Sequence, residues 1–542
     1  MLESRLSIPV LRLISDYIDH YAAIDPEREC LVFGAQRLSY KETRARIDQM
    51  AQALIASGVE PGDRVAFLST SRLEFWLHFL AVTDIGAIWL GLNPKYTQSE
   101  LEYQIKDAEP RMIFGFPELL GKKYTVVLEA LTRHESVQEL VWIGADEPTK
   151  GSNGTAWSDF SVRADSIDRT SLEKRRAAVD TMDPAFMVYT SGSTGKPKGT
   201  LLTHYGQIFT GVVGVERKGL RERRMICNLP INHVGAIGDI CARTMIGGGT
   251  IFFHEKFDPA LMMADTEKER LDVFAAVPTI FQICMNHPDF ASRDLSSIEL
   301  LAWGGAAMPL DVLRTFREKT GARFCTAGYG MTETVGGVTF SELEDTDERL
   351  VETIGTPDKR LPLRIWLHDE EREAAIGEEG EIQVCGDFLM KAYWRRPQDT
   401  AEAFTKDGWM HTGDLAKLRS DGHILFTGRL SQMFKSGGYN VYPMEIELCL
   451  QEHPDVDIAA VVGVPDPMYQ EVGYAYVVLP ENCSVDEEIL RAWCKERLAN
   501  YKVPKRFIIT RELPLLPIGK VDKVRLMDLV STAEVGRHKE AK

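Results

Sequence analysis

The chain has 542 residues, too many for one hydrophobic core, so two or more domains are expected. Apolar residues make up 44% and charged residues 26%, the balance of a globular protein, while a net charge of −17 argues against nucleic acid as a partner, because neutralising phosphates needs a basic face. No apolar run is long enough for an integral membrane segment, the start lacks a secretion signal, and nine scattered cysteines without a C-x-x-C pair read as reduced thiols of a cytoplasmic protein.

The first half alternates helix and strand signals. Ser39 and Glu42 form a capping box ahead of Ile47, Met50, Ala51, Leu54 and Ile55 at helical spacing, with Gly58 as the stop. Pro61-Gly62-Asp63 then turns the chain into a strand at 64–68. Further strands are expected at 273–277, 300–302 and 323–325, with a helix from Pro309 to Lys319 carrying proline in its first turn. Buried strands separated by helices indicate parallel sheets covered by helices. Between about 362 and 427 the strands become shorter and alternating, which predicts a distorted, partly antiparallel β subdomain. A boundary falls near Gly428 to Ser431. Beyond it, apolar runs at 458–462 and 474–479 and a helix capped by Ser484 and Glu487, presenting Ile489, Leu490, Trp493, Cys494 and Leu498, predict a small α+β domain with a frayed end.

Residues 189–199, Tyr-Thr-Ser-Gly-Ser-Thr-Gly-Lys-Pro-Lys-Gly, carry the densest chemistry. Glycines let a backbone approach an anion, hydroxyls and N–H groups donate, and two lysines bring positive charge. The spacing is not that of a Walker loop, but it is that of a phosphate-handling loop.

This segment resembles the signature loop of the adenylate-forming enzymes, which include acyl-CoA synthetases, luciferase-like proteins and peptide-synthetase adenylation domains. The resemblance continues in order along roughly the whole chain, through Asn232-His233-Val234, Gly304-Gly305-Ala306, the run from Tyr329 to Thr334, Thr412-Gly413-Asp414, Gly428-Arg429, Lys435-Ser436-Gly437-Gly438 and Gly519-Lys520. It implies an α/β protein with a large N-terminal domain at 1–428, built of helix-covered parallel sheets and an antiparallel subdomain. A small mobile α+β domain at 429–542 follows, joined by a hinge at Ser431, where Asp or Lys is usual in the family.

The function implied is that of an ATP-dependent carboxylic acid–CoA ligase, an acyl-CoA synthetase with ATP, Mg²⁺ and CoA as cofactors. It adenylates a monocarboxylic acid, releases pyrophosphate, and transfers the acyl group to CoA after the small domain rotates. The alternatives are an adenylating enzyme that loads a carrier-protein thiol, a nucleotide-binding scaffold built on an inactive synthetase, and a luciferase-like oxidase. The partner is a small-molecule acid, and a homodimer is compatible with the composition.

Roles follow residue by residue from the resemblance. Thr190, Ser191, Gly192, Ser193, Thr194, Gly195, Lys196 and Lys198 hold the phosphates that leave. Thr332 reaches the α-phosphate and Glu333 ligates Mg²⁺. Gly304, Gly305, Ala306, Gly328, Tyr329, Gly330 and Phe426 form the adenine slot, and Asp414 with Arg429 takes the ribose. Lys520, preceded by Ile518-Gly519 where Ser or Thr before Gly is commoner, bridges the attacking carboxylate and the α-phosphate. Lys435, Gly437 and Gly438 face the site after rotation and admit pantetheine. His233 is either a satisfied core histidine or a gate beside the acyl carboxylate. Motif position places His233, Val234, Ile237, Trp303, Ala306, Ala307, Met331, Val335 and Gly336 around the acyl group. That set holds no Lys or Arg, which points to an apolar body: medium-chain, aryl or alicyclic.

Overall fold

The computed structural model describes residues 8–144, 154–190, 197–480, 483–516 and 520–530. The predicted capping box forms as read. Ser39 accepts from the Glu42 amide, the Glu42 carboxylate accepts from the Ser39 amide, and the helix Tyr40–Ala56 follows. It buries Ile47, Met50, Ala51 and Leu54 in the main core beside the helix Leu73–Asp84, and that core also takes in a largely parallel eight-stranded sheet. That sheet is ordered 392–393, 198–203, 184–190, 88–92, 64–68, 112–115, 139–142, 155–156. Its strands are continuous apolar runs because helices cover both faces.

A second sheet sets strands Val273–Ala276, Leu300–Gly304 and Phe324–Met331 in parallel, then adds Gly336–Phe340 and Thr356–Pro357 antiparallel. The C-terminal ends of its parallel strands bring Gly304 opposite Gly328. A four-stranded sheet of 224–227, 250–253, 29–33 and 36–39 packs alongside. The helix expected from Pro309 runs Leu310–Thr320, with Pro309 just outside it as the N-cap.

The region of altered texture is a five-stranded sheet, 372–373, 363–367, 379–384, 410–418 and 424–429, antiparallel at every pairing. Its distortion is located: the register shifts between Glu381 and Gln383 and between Leu415 and Ala416. Beyond Arg429, strands 439–441, 434–436, 470–478 and 458–466 form a separate sheet, with 506–510 parallel to 470–478. It encloses its own core of Phe434, Ile446, Val461, Val477, Leu490 and Cys494. The helix of this domain, Glu487–Arg497, is capped by Asp486, whose carboxylate accepts from the amides of Glu488 and Ile489; Ser484 does not cap it. Leu490 and Cys494 turn inward, Trp493 and Leu498 pack beside them, and Ile489 stays exposed. Among the described residues, no helix is long and apolar enough to cross a membrane, and all nine cysteines are free.

Candidate active site

Several chain segments converge at the ends of the second sheet and the antiparallel sheet. Strand Leu300–Gly304 leads into Gly305, whose φ of +81° is a conformation that favours glycine. A β-carbon there would lie 2.7 Å from Cε and 3.1 Å from Nζ of Lys520. Lys520 therefore reaches across Gly305 from 215 residues further along the chain. Its backbone is held in place by a bridge between Leu515 and Val521 and by the Leu516 amide, which donates to the Lys520 carbonyl at 2.7 Å. Burial pulls its ammonium below the ordinary lysine range and Arg429 adds to this, while Asp414 and Asp239 oppose it.

Asp414 and Arg429 face each other on paired strands. Arg429 Nε lies 2.9 Å from Asp414 Oδ1, a charge contact without hydrogen-bond alignment, which leaves that oxygen free to accept. The other oxygen accepts from Tyr329 Oη at 2.6 Å. Burial raises the Asp414 carboxyl, and Arg429 holds the rise back. The Tyr329 ring sits 5.9 Å from Phe426. Gly330 packs so closely on Gly336 that no side chain fits, and Gly304 and Ala306 leave the facing wall bare.

Thr332 and Glu333 occupy a single 3₁₀ turn, Thr332–Thr334, closed by Val335 at φ +58°, a strained value for a β-branched residue. Glu333 is 6% exposed. Its Oε1 accepts from Tyr393 Oη at 2.9 Å and from Thr190 Oγ1 at 3.4 Å, and burial pushes its pKa up. Tyr393 lies on a short strand beside 198–203 and was not singled out in the sequence, since no spacing ties it to Glu333.

Thr190 pairs with Lys198 across the strands that flank the phosphate-handling loop. Ser191, Gly192, Ser193, Thr194, Gly195 and Lys196 lie outside the described residues, as do Ile518 and Gly519. The Lys198 ammonium forms an ion pair with Asp399 and lies 5.2 Å from the Tyr393 ring centroid, so its charge is already partnered.

His233 Nδ1 accepts from the Gly235 amide at 2.9 Å, so Nδ1 is unprotonated and Nε2 carries the hydrogen. Burial, then Lys520, lowers its pKa to about 4, which leaves a neutral imidazole at pH 7. Val234, Ile237 and Val335 are buried nearby, Ile237 and Val335 in the main core, but Trp303 belongs to the second core. After His233 the chain winds as a π-helix, Gly235–Ala242, a form that often marks functional positions. It places Asp239 and, one turn on, Arg243 against Gly336. Lys218 lies near them, so the surroundings carry charge that the motif-based list lacks. The Asp239–Arg243 spacing of four was readable; nothing in the spacing singled out Lys218, which sits at a helix end before a glycine.

Lys435, Gly437 and Gly438 stand elsewhere. Phe434–Ser436 and Tyr439–Val441 form a hairpin whose two central glycines both have positive φ, +58° and +87°. Lys435 is exposed, its amide donates to Glu471, and the Gly437 amide donates to the Tyr469 carbonyl.

The family model described as AMP-binding enzyme matches residues 18–394, and that of the AMP-binding enzyme C-terminal domain matches 445–520. A feruloyl-CoA synthase of Amycolatopsis sp is 35% identical over 93% of this chain and 96% of its own length. A 3-[(3aS,4S,7aS)-7a-methyl-1,5-dioxo-octahydro-1H-inden-4-yl]propanoyl:CoA ligase of Mycobacterium tuberculosis is 31% identical over 96% of this chain and 99% of its own. The ATP-bound crystal structure of MatB from Rhodopseudomonas palustris superposes with a TM-score of 0.80 at 28% identity, covering 95% of this chain and 98% of that one.

Proposed function

Because this chain belongs to the AMP-binding enzyme family, we propose that its site activates an aryl or alicyclic monocarboxylic acid, with the residues assigned as follows. The chain is an ATP-dependent, AMP-forming acid–CoA ligase. The observation that carries the assignment is Lys520 lying over Gly305 beside His233, Asp414 and Arg429. An attacking carboxylate and an α-phosphate are both anions, and at ~4 Å their repulsion is several-fold larger in a dry site than the about 1 kcal/mol of water. Lys520 supplies the cation between them. His233 donates from Nε2 to the acid's carboxylate and, being neutral, does not compete with Lys520 for it.

Asp414 Oδ1 accepts from the ribose hydroxyls, and Tyr329 and Phe426 supply the aromatic faces for adenine. Thr332 donates to the α-phosphate. Glu333 suits Mg²⁺: it is a buried carboxylate whose pKa burial pushes up, with hydroxyl partners and only a distant cation, Arg429. Bound there, the ion would screen the phosphate charge. The phosphates that leave fall to the loop from Thr190 to Lys198, where Lys196 is the main cation because Lys198 is tied to Asp399.

For the second half-reaction we assign residues 429–542 as a unit that turns about Ser431, exchanging Lys520 for the hairpin of Lys435, Gly437 and Gly438. The glycines then admit the pantetheine arm. Every residue named comes from one chain, so this site needs no second copy. Free thiols and the acidic surface fit a cytoplasmic enzyme.

The test is a mass-spectrometric assay with ATP, Mg²⁺, CoA and acids from acetate to long-chain, aryl and alicyclic. Acyl-CoA with equimolar AMP, greatest for aryl or alicyclic acids, is expected. Acyl-adenylate without any CoA thioester would overturn CoA as the acceptor and favour a carrier-protein thiol.

A further inference from the structure

Lys218 ends the helix His204–Lys218, just before Gly219 at φ +63°. A lysine there ordinarily points to water, but this side chain turns inward. Its Nζ lies 3.1 Å from where a β-carbon on Gly328 would stand, beside Tyr329, and 5.8 Å from the ring centroid of Phe340. Arg243 is 2% exposed, and its guanidinium also lies 5.8 Å from the Phe340 centroid. It is paired with Asp239. Asp239 Oδ1 and Arg243 Nη2 lie 3.2 and 3.3 Å from the β-carbon position of Gly336, so a glycine is required where the wall meets these charges.

Asp239 links the group to the reaction centre, since its charge is felt at His233, Lys520 and Lys218. Its side chain keeps 39% exposure although its neighbours are buried, so open space faces it. The charges sum to two cations and one anion. Arg243 uses the anion. The Lys218 ammonium has no hydrogen-bond or ion-pair partner among the described residues, and burial followed by Arg243 lowers its pKa to about 8.

We propose that Lys218, beside the Asp239–Arg243 pair, is a specificity-determining donor at the far end of the acyl pocket. It hydrogen-bonds an oxygen on the substrate's tail, so the preferred acid carries a carbonyl or phenolic oxygen remote from its carboxyl group. An ammonium has three donors and no acceptor, and Lys218 is half-buried with none of them engaged by the described residues, so a substrate oxygen finds a ready donor there. Asp239 disfavours a second full carboxylate by standing on the approach. This inference rests on the ligase reading above.

The experiment compares kcat/KM of acyl-CoA formation for matched acids: para-hydroxycinnamic against cinnamic acid, and a ring-ketone cycloalkane acid against the plain cycloalkane acid. A linear dicarboxylic acid is the control. The wild-type enzyme should favour the oxygen-bearing member of at least one pair by roughly tenfold or more, as sites built to bond a substrate oxygen do. In Lys218→Met the ratio should fall to within about threefold of unity, mainly through KM, and Lys218→Arg should keep the preference. Lys218→Gln replaces Lys218→Met if the latter does not fold. An unchanged ratio in the uncharged variant, a wild-type preference for the plain acids, or a dicarboxylic acid that outcompetes all the others would overturn the proposal. Failure of the ligase reading would show differently, as no acyl-CoA from any acid.

Discussion

Lys520 shows how far a single residue's role depends on company that spacing does not reveal. Near a chain end, in Leu-Pro-Leu-Leu-Pro-Ile-Gly-Lys, spacing alone reads it as a solvated charge; the resemblance to adenylate-forming enzymes assigns it the phosphoryl step, and its approach to Gly305 supports that assignment. Removing that cation leaves two anions facing each other. Lys520→Ala is therefore expected to lower ATP–pyrophosphate exchange by at least about a hundredfold, corresponding to some 2.7 kcal/mol or more of electrostatic stabilisation. Conversion of supplied acyl-adenylate to acyl-CoA should survive in the same variant, and undiminished exchange would remove the role. Tyr393 and Lys218 were not legible, because each meets its site across strands or helices far apart in sequence. Asp414 was legible through its place before Gly428-Arg429, and its pairing with Arg429 follows from the antiparallel register.

At the scale of elements, alternation and capping were read well because they are local. The box at Ser39 formed as expected, whereas the cap expected at Ser484 moved to Asp486, since a carboxylate two residues on reaches the first-turn amides better placed. The buried ion cluster that pins the first helix, Asp16–Ile24, could not be read. Asp84, wholly buried, takes Arg44 at 2.7 Å, Arg176 at 3.3 Å and the Ser15 hydroxyl. Burial alone would raise its pKa, but Arg44 and Arg176 hold it below the usual range. Asp84→Ala removes the fully buried carboxylate shared by Arg44 and Arg176, leaving Arg44 to Asp48 and Arg176 to Asp16 and Asp19, and should destabilise the protein by about 2–4 kcal/mol in denaturant melts. Between the two domains, Ser431 is exposed and lies within the turn in which the Gln432 and Met433 amides donate to the Arg429 carbonyl. Ser431→Pro fixes φ near −65° and should spare adenylation while slowing thioester formation at least tenfold. Equal loss in both half-reactions, measured separately, would argue against a turning domain.

For the molecule as a whole, acid sensitivity follows from imidazoles held neutral in the core. His204 lies between the Ile14 amide and the Thr83 carbonyl, and His78 accepts from Trp89 Nε1; burial brings their pKa values down to about 4 and about 3. The unfolded chain takes up these protons near pH ~6.5, so between there and about 4 it binds more protons than the fold does. That stability is complete above pH ~6.5 and drains away as pH falls, His204 alone accounting for of order 3 kcal/mol at the limit. The melting temperature should therefore decline steadily from pH 7 to 4.5, and a flat profile would contradict the burial of both rings. The doubly domained α/β plan was legible because apolar periodicity repeats along the chain, but the direction of an inward-turned lysine is a property of packing alone. The half-buried ammonium of Lys218, without a protein partner among the described residues, also gives the enzyme a set of donors that a bound acid can engage. Lys218→Met should then melt higher than wild type without ligand, and acids that raise the wild-type melting temperature should lose much of that effect on the variant, turning a simple thermal-shift screen into a readout of which acid the pocket was shaped to hold.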